Sequence, residues 1–170
     1  MISIVETVRI PHAPERIWRF FSEEVEDRYS EWHSEHLRWR WLRGRPLEKG
    51  AVWFADEWIG RMRIAGRFIV DEVHPGRSFA YRLAFPSSIV RAGGSFRLEP
   101  RGDDGCELIQ DVHMGFSLPL LGRLIDLVIA AVVLVRDLHR HMREEQANLT
   151  PLLVSIDEER GNEKSDGNDK

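Results

Sequence analysis

His141 and Glu145 stand four residues apart in HRHMREE, inside a stretch with helical periodicity. On a helix that spacing places both side chains on one face, one turn apart, so an imidazole nitrogen and a carboxylate oxygen can converge above the turn. Two such heads suit a shared divalent cation, and they equally suit an ordinary exposed His–Glu pair. Leu134, Leu138 and His141 share one helix edge, so His141 continues an apolar stripe. His139 is turned roughly 200° from His141, at about 100° per residue, and belongs to the solvated face.

Glu57 sits in WFADEWIG, and alternation directs it to the same side as Trp53, Ala55 and Ile59. A carboxylate on an aromatic face loses hydration that only a cation restores. Arg38, Arg40 and Arg63 are candidate partners, and a metal ion is another. His33 and His36, in YSEWHSEH, lie three apart where a helical stretch passes into a strand, so both imidazoles can reach one side of the chain. His113, in LIQDVHMGF, shares a face with Ile109 and Asp111, opposite Leu108, Val112 and Met114. Periodicity leaves open which of the two faces is interior. His12 and His74 fall in proline-containing turns and are expected to be structural.

Positioning these residues requires elements far apart in the chain. Ile2, Ile4, Val8 and Ile10 alternate with polar residues as a first strand, stopped by Pro11. Pro14 suits the opening of a helix, PERIWRFFSE, whose Ile17, Trp18 and Phe21 share a face. A second short helical stretch covers Glu24–Ser30. Strand-like runs follow at Leu37–Leu42, Ala51–Ile59, Arg61–Val70, Phe79–Phe85, Ile89–Leu98 and Cys106–Phe116, separated by glycine, proline and aspartate punctuation. Connections this short predict an antiparallel meander. From Leu120 to about Leu149 the period becomes helical, with a possible kink at Gly122 and a stop at Pro151. The charged segment DEERGNEKSDGNDK is expected to be disordered, giving one domain over residues 1–155 and a tail over 156–170.

Composition narrows the function classes. The 170 residues carry 24 Lys+Arg against 28 Asp+Glu, a net charge of −4, so no basic field points to nucleic acid. The single cysteine, Cys106, excludes an internal disulfide and a thiolate zinc cage. The N-terminal residues lack the features of a secretory signal, so a cytoplasmic location is expected. Phe116–Val135 approaches the length of a bilayer span, but Pro119, Gly122, Arg123 and Asp126 leave only Leu127–Val135 uninterrupted, the length of a buried helix core, and peripheral membrane contact by this helix stays open. Six Trp and eight Phe supply a wide apolar interior.

The strand followed by IPHAPERIWRFF, the segment FIVDEVHPGRSFAYRL and the closing helix resemble the START-like, Bet v 1-like ligand-binding superfamily, also called polyketide cyclase or SRPBCC proteins. The resemblance spans roughly Met1–Leu153. It implies an α+β helix-grip fold: a curved antiparallel sheet of about seven strands around a long C-terminal helix, two short helices after the first strand, and an apolar cavity. The set WHSEH, Glu57, His113 and HxxxE further resembles the metal-dependent branch typified by diacetylphloroglucinol hydrolase. That branch uses zinc held by two His and two Glu to cleave a carbon–carbon bond next to a ketone on an aromatic ring. Carried over, the resemblance implies Zn²⁺ (or a similar divalent ion) on Glu57, His141, Glu145 and, by preference, His33, with His36 beside the substrate and His113 as a further catalytic residue. The reverse assignment of His33 and His36 stays open. Only Tyr29 and Tyr81 are present to match that enzyme's substrate-binding tyrosines, so the resemblance implies a small aromatic or polyketide-like substrate rather than that enzyme's own. A non-catalytic carrier of a hydrophobic ligand, such as a lipid or polyketide, is the alternative. The oligomeric state is left open, a homodimer among the options.

Overall fold

The computed structural model describes residues 2–84, 90–102, 105–116 and 134–166. Strand β1 (Ile2–Ile10) leads into helix α1 (Pro14–Arg19), a π-helical turn (Phe20–Glu24) and helix α2 (Val25–Trp32). Six strands follow: β2 (His36–Arg43), β3 (Val52–Ile59), β4 (Met62–His74), β5 (Ser78–Leu83), β6 (Val90–Pro100) and β7 (Cys106–Phe116). Helix α3 occupies Leu134–Asp166. The expected helix start at Leu120 and the kink at Gly122 lie outside the described residues.

The strands form one antiparallel sheet in the order β1-β7-β6-β5-β4-β3-β2. Sequential hairpins build β2 to β7, and β1 pairs back on β7, for example Ile4 opposite Val112. One register matters for the site: His36 at the start of β2 is directly opposite Glu57 on β3. Opposed residues on neighbouring strands place their side chains on the same face at about 5 Å. The pairing therefore brings together two residues that lie 21 apart in sequence.

The concave face of the sheet is aromatic. Trp39, Trp53, Phe68, Tyr81, Phe79 and Phe96 form a continuous run of ring contacts, with Trp53 stacked between Trp39 at 5.0 Å and Phe68 at 5.4 Å. The π-helical turn buries both Phe20 and Phe21 against Trp32, so α1 and α2 close one end of the core. Helix α3 lays Leu138 and Met142 against Ile4 and Ile59, and Leu149, Leu152, Leu153 and Ile156 into the aromatic core.

Two sequence expectations are corrected here. Pro151 lies inside α3 rather than ending it. Proline removes one backbone donor, but the next turn buries Leu152, Leu153 and Ile156, and that burial outweighs a lost hydrogen bond. The segment beyond 156, expected to be disordered, continues the helix as far as Asp166. Asp157 and Arg160 anchor it, pairing with Arg16 and Glu24 at 2.9 and 2.8 Å. No helix among the described residues is long and apolar enough to cross a membrane.

Candidate metal centre

Four side chains from three elements converge at one end of the sheet. His36 (β2), Glu57 (β3), His141 and Glu145 (α3) each offer a ligand atom, and these atoms all lie within 4.8 Å of one another. His36 Nε2 is 2.8 Å from Glu145 Oε1 and 3.7 Å from Glu57 Oε2, while His141 Nε2 is 3.5 Å from Glu145 Oε1. His36, His141 and Glu145 are buried and Glu57 is partly so. The helical i,i+4 pair thus joins the cross-strand pair.

Outer contacts orient both imidazoles. His36 Nδ1 faces the Tyr29 carbonyl at 3.1 Å, and His141 Nδ1 faces Glu35 Oε2 at 2.9 Å. A carbonyl and a carboxylate only accept, so in both rings Nδ1 carries the hydrogen and the Nε2 atom points into the cluster. Among the described residues, buried His141 Nε2 has no hydrogen-bond partner. The Tyr29 hydroxyl donates to Glu57, and the Tyr29 ring stacks on His36 at 3.9 Å and 7°. Gln110 Nε2 donates to Glu145 Oε2 at 3.0 Å, and Trp32 Nε1 donates to the Glu145 carbonyl at 2.8 Å. Gln110 thus holds Glu145 by Oε2 and leaves Oε1 facing both imidazoles.

His33 is built differently. Its Nδ1 accepts the Glu35 backbone N–H at 3.0 Å, so its hydrogen is on Nε2, which donates to Glu144 at 3.0 Å. Both nitrogens are engaged, although the ring lies only 4.4 Å from that of His141. The four-donor set with Glu57, His141 and Glu145 thus contains His36, while His33, the preferred ligand in the sequence reading, stands with His36 and His141 in a second group of ligand atoms within 4.8 Å of one another. His113 also stands apart. It lies opposite Gly93 on β7, with Nε2 close to where a Gly93 side chain would begin, and alternation sets it against Gln110 and Val112 across the strand. It borders the cavity and is not part of the donor cluster. The β7 residue that reaches the cluster is Gln110.

Among the described residues Glu57 meets no arginine: Arg63 pairs instead with Asp56, on the other face of β3, at 2.7 Å. The electrostatic consequences fall on α3. Burial disfavours charge on His141, but Glu145, Glu57 and Glu35 outweigh it and push the imidazole up to about 9. Burial alone would raise Glu145; the His141 imidazole 3.5 Å away and the hydrogen-bonded His36 hold it far below the usual carboxylate range. Burial, reinforced by Glu57 and Glu145, pushes the Tyr29 phenol well up. Two carboxylates thus share a low-dielectric site with groups that become cationic only by taking a proton.

The site opens on a cavity of about 590 Å³. Trp39, Trp53, Phe68, Tyr81 and Phe96 form its aromatic wall, while Glu57, His141 and Glu145 reach it from one end. Glu35, Gln110 and Glu144 escaped the sequence reading, and Tyr29 is weighed there only against substrate, not as a partner of Glu57. Tyr29, Trp32, His33 and His36 stand at i, i+3, i+4 and i+7, a helical stripe that could have identified Tyr29. Gln110 alternates with Leu108 and Val112 and so shares their face. Glu35 and Glu144 carry no such local signal.

Comparison with known proteins agrees with this architecture. A START superfamily protein from Mycobacterium smegmatis is 16% identical and superposes with a TM-score of 0.66 over 91% of this chain and 98% of its own. The protein TTHA0849 from Thermus thermophilus is 12% identical with a TM-score of 0.68, covering 91% and 99%. The ZhuI aromatase/cyclase from a Streptomyces species is 14% identical with a TM-score of 0.62, covering 94% of each chain. At these identities the likeness is one of fold, the Bet v 1-like helix grip. No curated protein matches the sequence. Residues 1–150, by contrast, match the family described as polyketide cyclase / dehydrase and lipid transport, and this chain belongs to that family.

Proposed function

We propose that this protein is a metal-dependent hydrolase that cleaves the carbon–carbon bond next to a ketone in a small aromatic or polyketide-like molecule held in its cavity. The observation that carries this reading is the convergence of His36, Glu57, His141 and Glu145 around a buried, unpartnered imidazole nitrogen. An N₂O₂ donor set with both Nδ1–H groups engaged outside fits Zn²⁺, which takes His nitrogen and carboxylate oxygen. When bound, such an ion polarises a carbonyl and lowers the pKa of a coordinated water.

The chain's own residues supply the rest. The aromatic wall holds a flat apolar substrate by stacking and burial, and excludes bulk water from the reacting bond. Gln110 and Tyr29 hold Glu145 and Glu57 in place. The net reaction adds one water: the acyl carbon leaves as a carboxylic acid and the ring carbon gains a proton.

Elemental analysis of protein purified without chelator tests the centre, with about one divalent ion per chain expected and loss of it in His141→Ala and Glu57→Gln. Incubation with a panel of hydroxylated aryl ketones, read by mass spectrometry for released acid, tests the chemistry. The predominantly apolar cavity favours one second reading, a carrier of a hydrophobic ligand. Metal-free protein that co-purifies with an apolar molecule and releases no acid would replace the hydrolase with the carrier.

A further inference from the structure

Glu35 lies in the short connection between α2 and β2, outside both the cavity lining and the four-donor set. Its contacts are nevertheless unusually many. Its carboxylate accepts from His141 Nδ1 at 2.9 Å and from Arg140 at 3.3 Å, beside the Gly60 backbone N–H of the β3–β4 turn. Its own N–H donates to His33 Nδ1 at 3.0 Å, and its carbonyl accepts the Trp58 N–H at 2.9 Å. One residue therefore joins the end of α2, β3 and α3.

We infer that Glu35 is the positioning residue that decides which histidines can bind the cation. This rests on the metal-centre reading above. Its side chain, an acceptor, fixes hydrogen on His141 Nδ1 and leaves the Nε2 lone pair inside the cluster. Its backbone N–H, a donor, removes the Nδ1 lone pair of His33 and leaves that ring's hydrogen on Nε2, facing Glu144. The two rings are 4.4 Å apart and both are buried, so position alone does not separate ligand from non-ligand. The tautomer does, and Glu35 sets both. Arg140 keeps the carboxylate from turning away. Outer acceptors of this kind typically account for about 10–100-fold in metal affinity.

The test is a Co²⁺ titration of the full chain, followed by the visible absorption of the bound ion, together with long-range ¹H–¹⁵N spectra of the imidazoles in the Zn²⁺-loaded protein. Glu35→Ala should weaken Co²⁺ binding by about 10–100-fold and remove the Nδ1–H signature of His141, while the His33 pattern, set by the backbone, persists. Glu35→Gln retains an acceptor oxygen and should recover most of the affinity, a rescue that a role in packing alone does not predict. If thermal melts show Glu35→Ala unfolded, Glu35→Met gives the same readout with side-chain volume kept. A wild type that binds Co²⁺ beside an alanine or methionine variant that binds equally well, with His141 unchanged, overturns the inference and leaves the metal centre standing. A wild type that takes up no Co²⁺ overturns both.

Discussion

Helix α3 is tied to the rest of the fold by two buried ionic clusters that balance their charge in opposite ways. Beyond Leu153, Arg16 lies between Glu24 and Asp157, at 2.9 Å from each, and Arg160 reaches Glu24 at 2.8 Å. Both carboxylates face guanidinium groups, cations that do not titrate. Around His141 and Glu145, the carboxylates of Glu57 and Glu145 face imidazoles, a phenol and an amide. The first cluster balances its carboxylates with the chain's own guanidinium groups, although among the described residues Arg19 Nε and Glu24 Oε1 lack well-directed hydrogen bonds. The second is neutral only after protons or a cation enter, and it retains an orphaned Nε2. A buried carboxylate among arginines is thus a fastening, whereas one among histidines is an unmet demand for positive charge.

The largest expected effect comes from breaking the arginine cluster. Arg16→Ala leaves Glu24 buried beside Arg160 and the more distant Arg19, and should cost about 3 kcal/mol, the low end for breaking a buried pair. Thermal unfolding should show this as a fall of roughly 10 °C in Tm, with the stabilisation by added zinc unchanged. Loss of that zinc response in Arg16→Ala would break the distinction between the two clusters.

Zinc itself should act only at the histidine cluster. At a hundredfold excess over Kd, binding to the folded state stabilises by about 2.7 kcal/mol, and a chelator should reverse the gain. His141→Ala and Glu145→Gln should abolish the response. A Tm of the wild-type protein that ignores both zinc and chelator would remove the functional half of the contrast.

A smaller effect should come from the support beneath the site. Gly60 has φ +62, and a Cβ there would sit 2.3 Å from Asp137 Oδ2. Gly60→Ala should lose about 1–2 kcal/mol for the left-handed backbone and the displaced Asp137. It should also weaken metal binding, because Asp137 lies on α3 one turn before His141 and must move to admit the Cβ. Calorimetry and a metal titration on the same sample would show whether stability and affinity fall together.

Cys106 provides the smallest test, as a buried ionisable group in neither cluster. Burial, aided by Glu15 and Glu107, pushes its thiol up to about 11. The unfolded chain ionises first, so this contribution is fully present below about pH 9 and is lost as pH rises towards 11. At pH 10 the loss is about 1 kcal/mol, and it should be absent from the corresponding pH difference in Cys106→Ala. Equal alkaline losses in the two proteins would show that the thiol does not contribute.

Much of this architecture is legible in the chain. Alternation located all seven strands within a few residues, because one face of the sheet is apolar and the side-chain period is two. Glu57 among tryptophans and the His141–Glu145 spacing were legible for a similar reason: each is a local pattern whose cost or geometry can be reckoned without a fold. Proline punctuation misled at Pro151, where a local rule met three buried apolar residues just beyond it.

The sequence by itself determined which residue types are available, their order, and which of them a strand or a helix would place on a common face. Tertiary structure decided the membership of the site. His36 joined it because antiparallel register sets that residue opposite Glu57, and because the Tyr29 carbonyl leaves its Nε2 free. His33 stands outside the four-donor set, held by a backbone hydrogen bond from Glu35, and Gln110, 35 residues from Glu145, came in from another strand. A histidine's capacity to bind a cation depends on which nitrogen holds the hydrogen, and that is set by a partner across space rather than by neighbours along the chain.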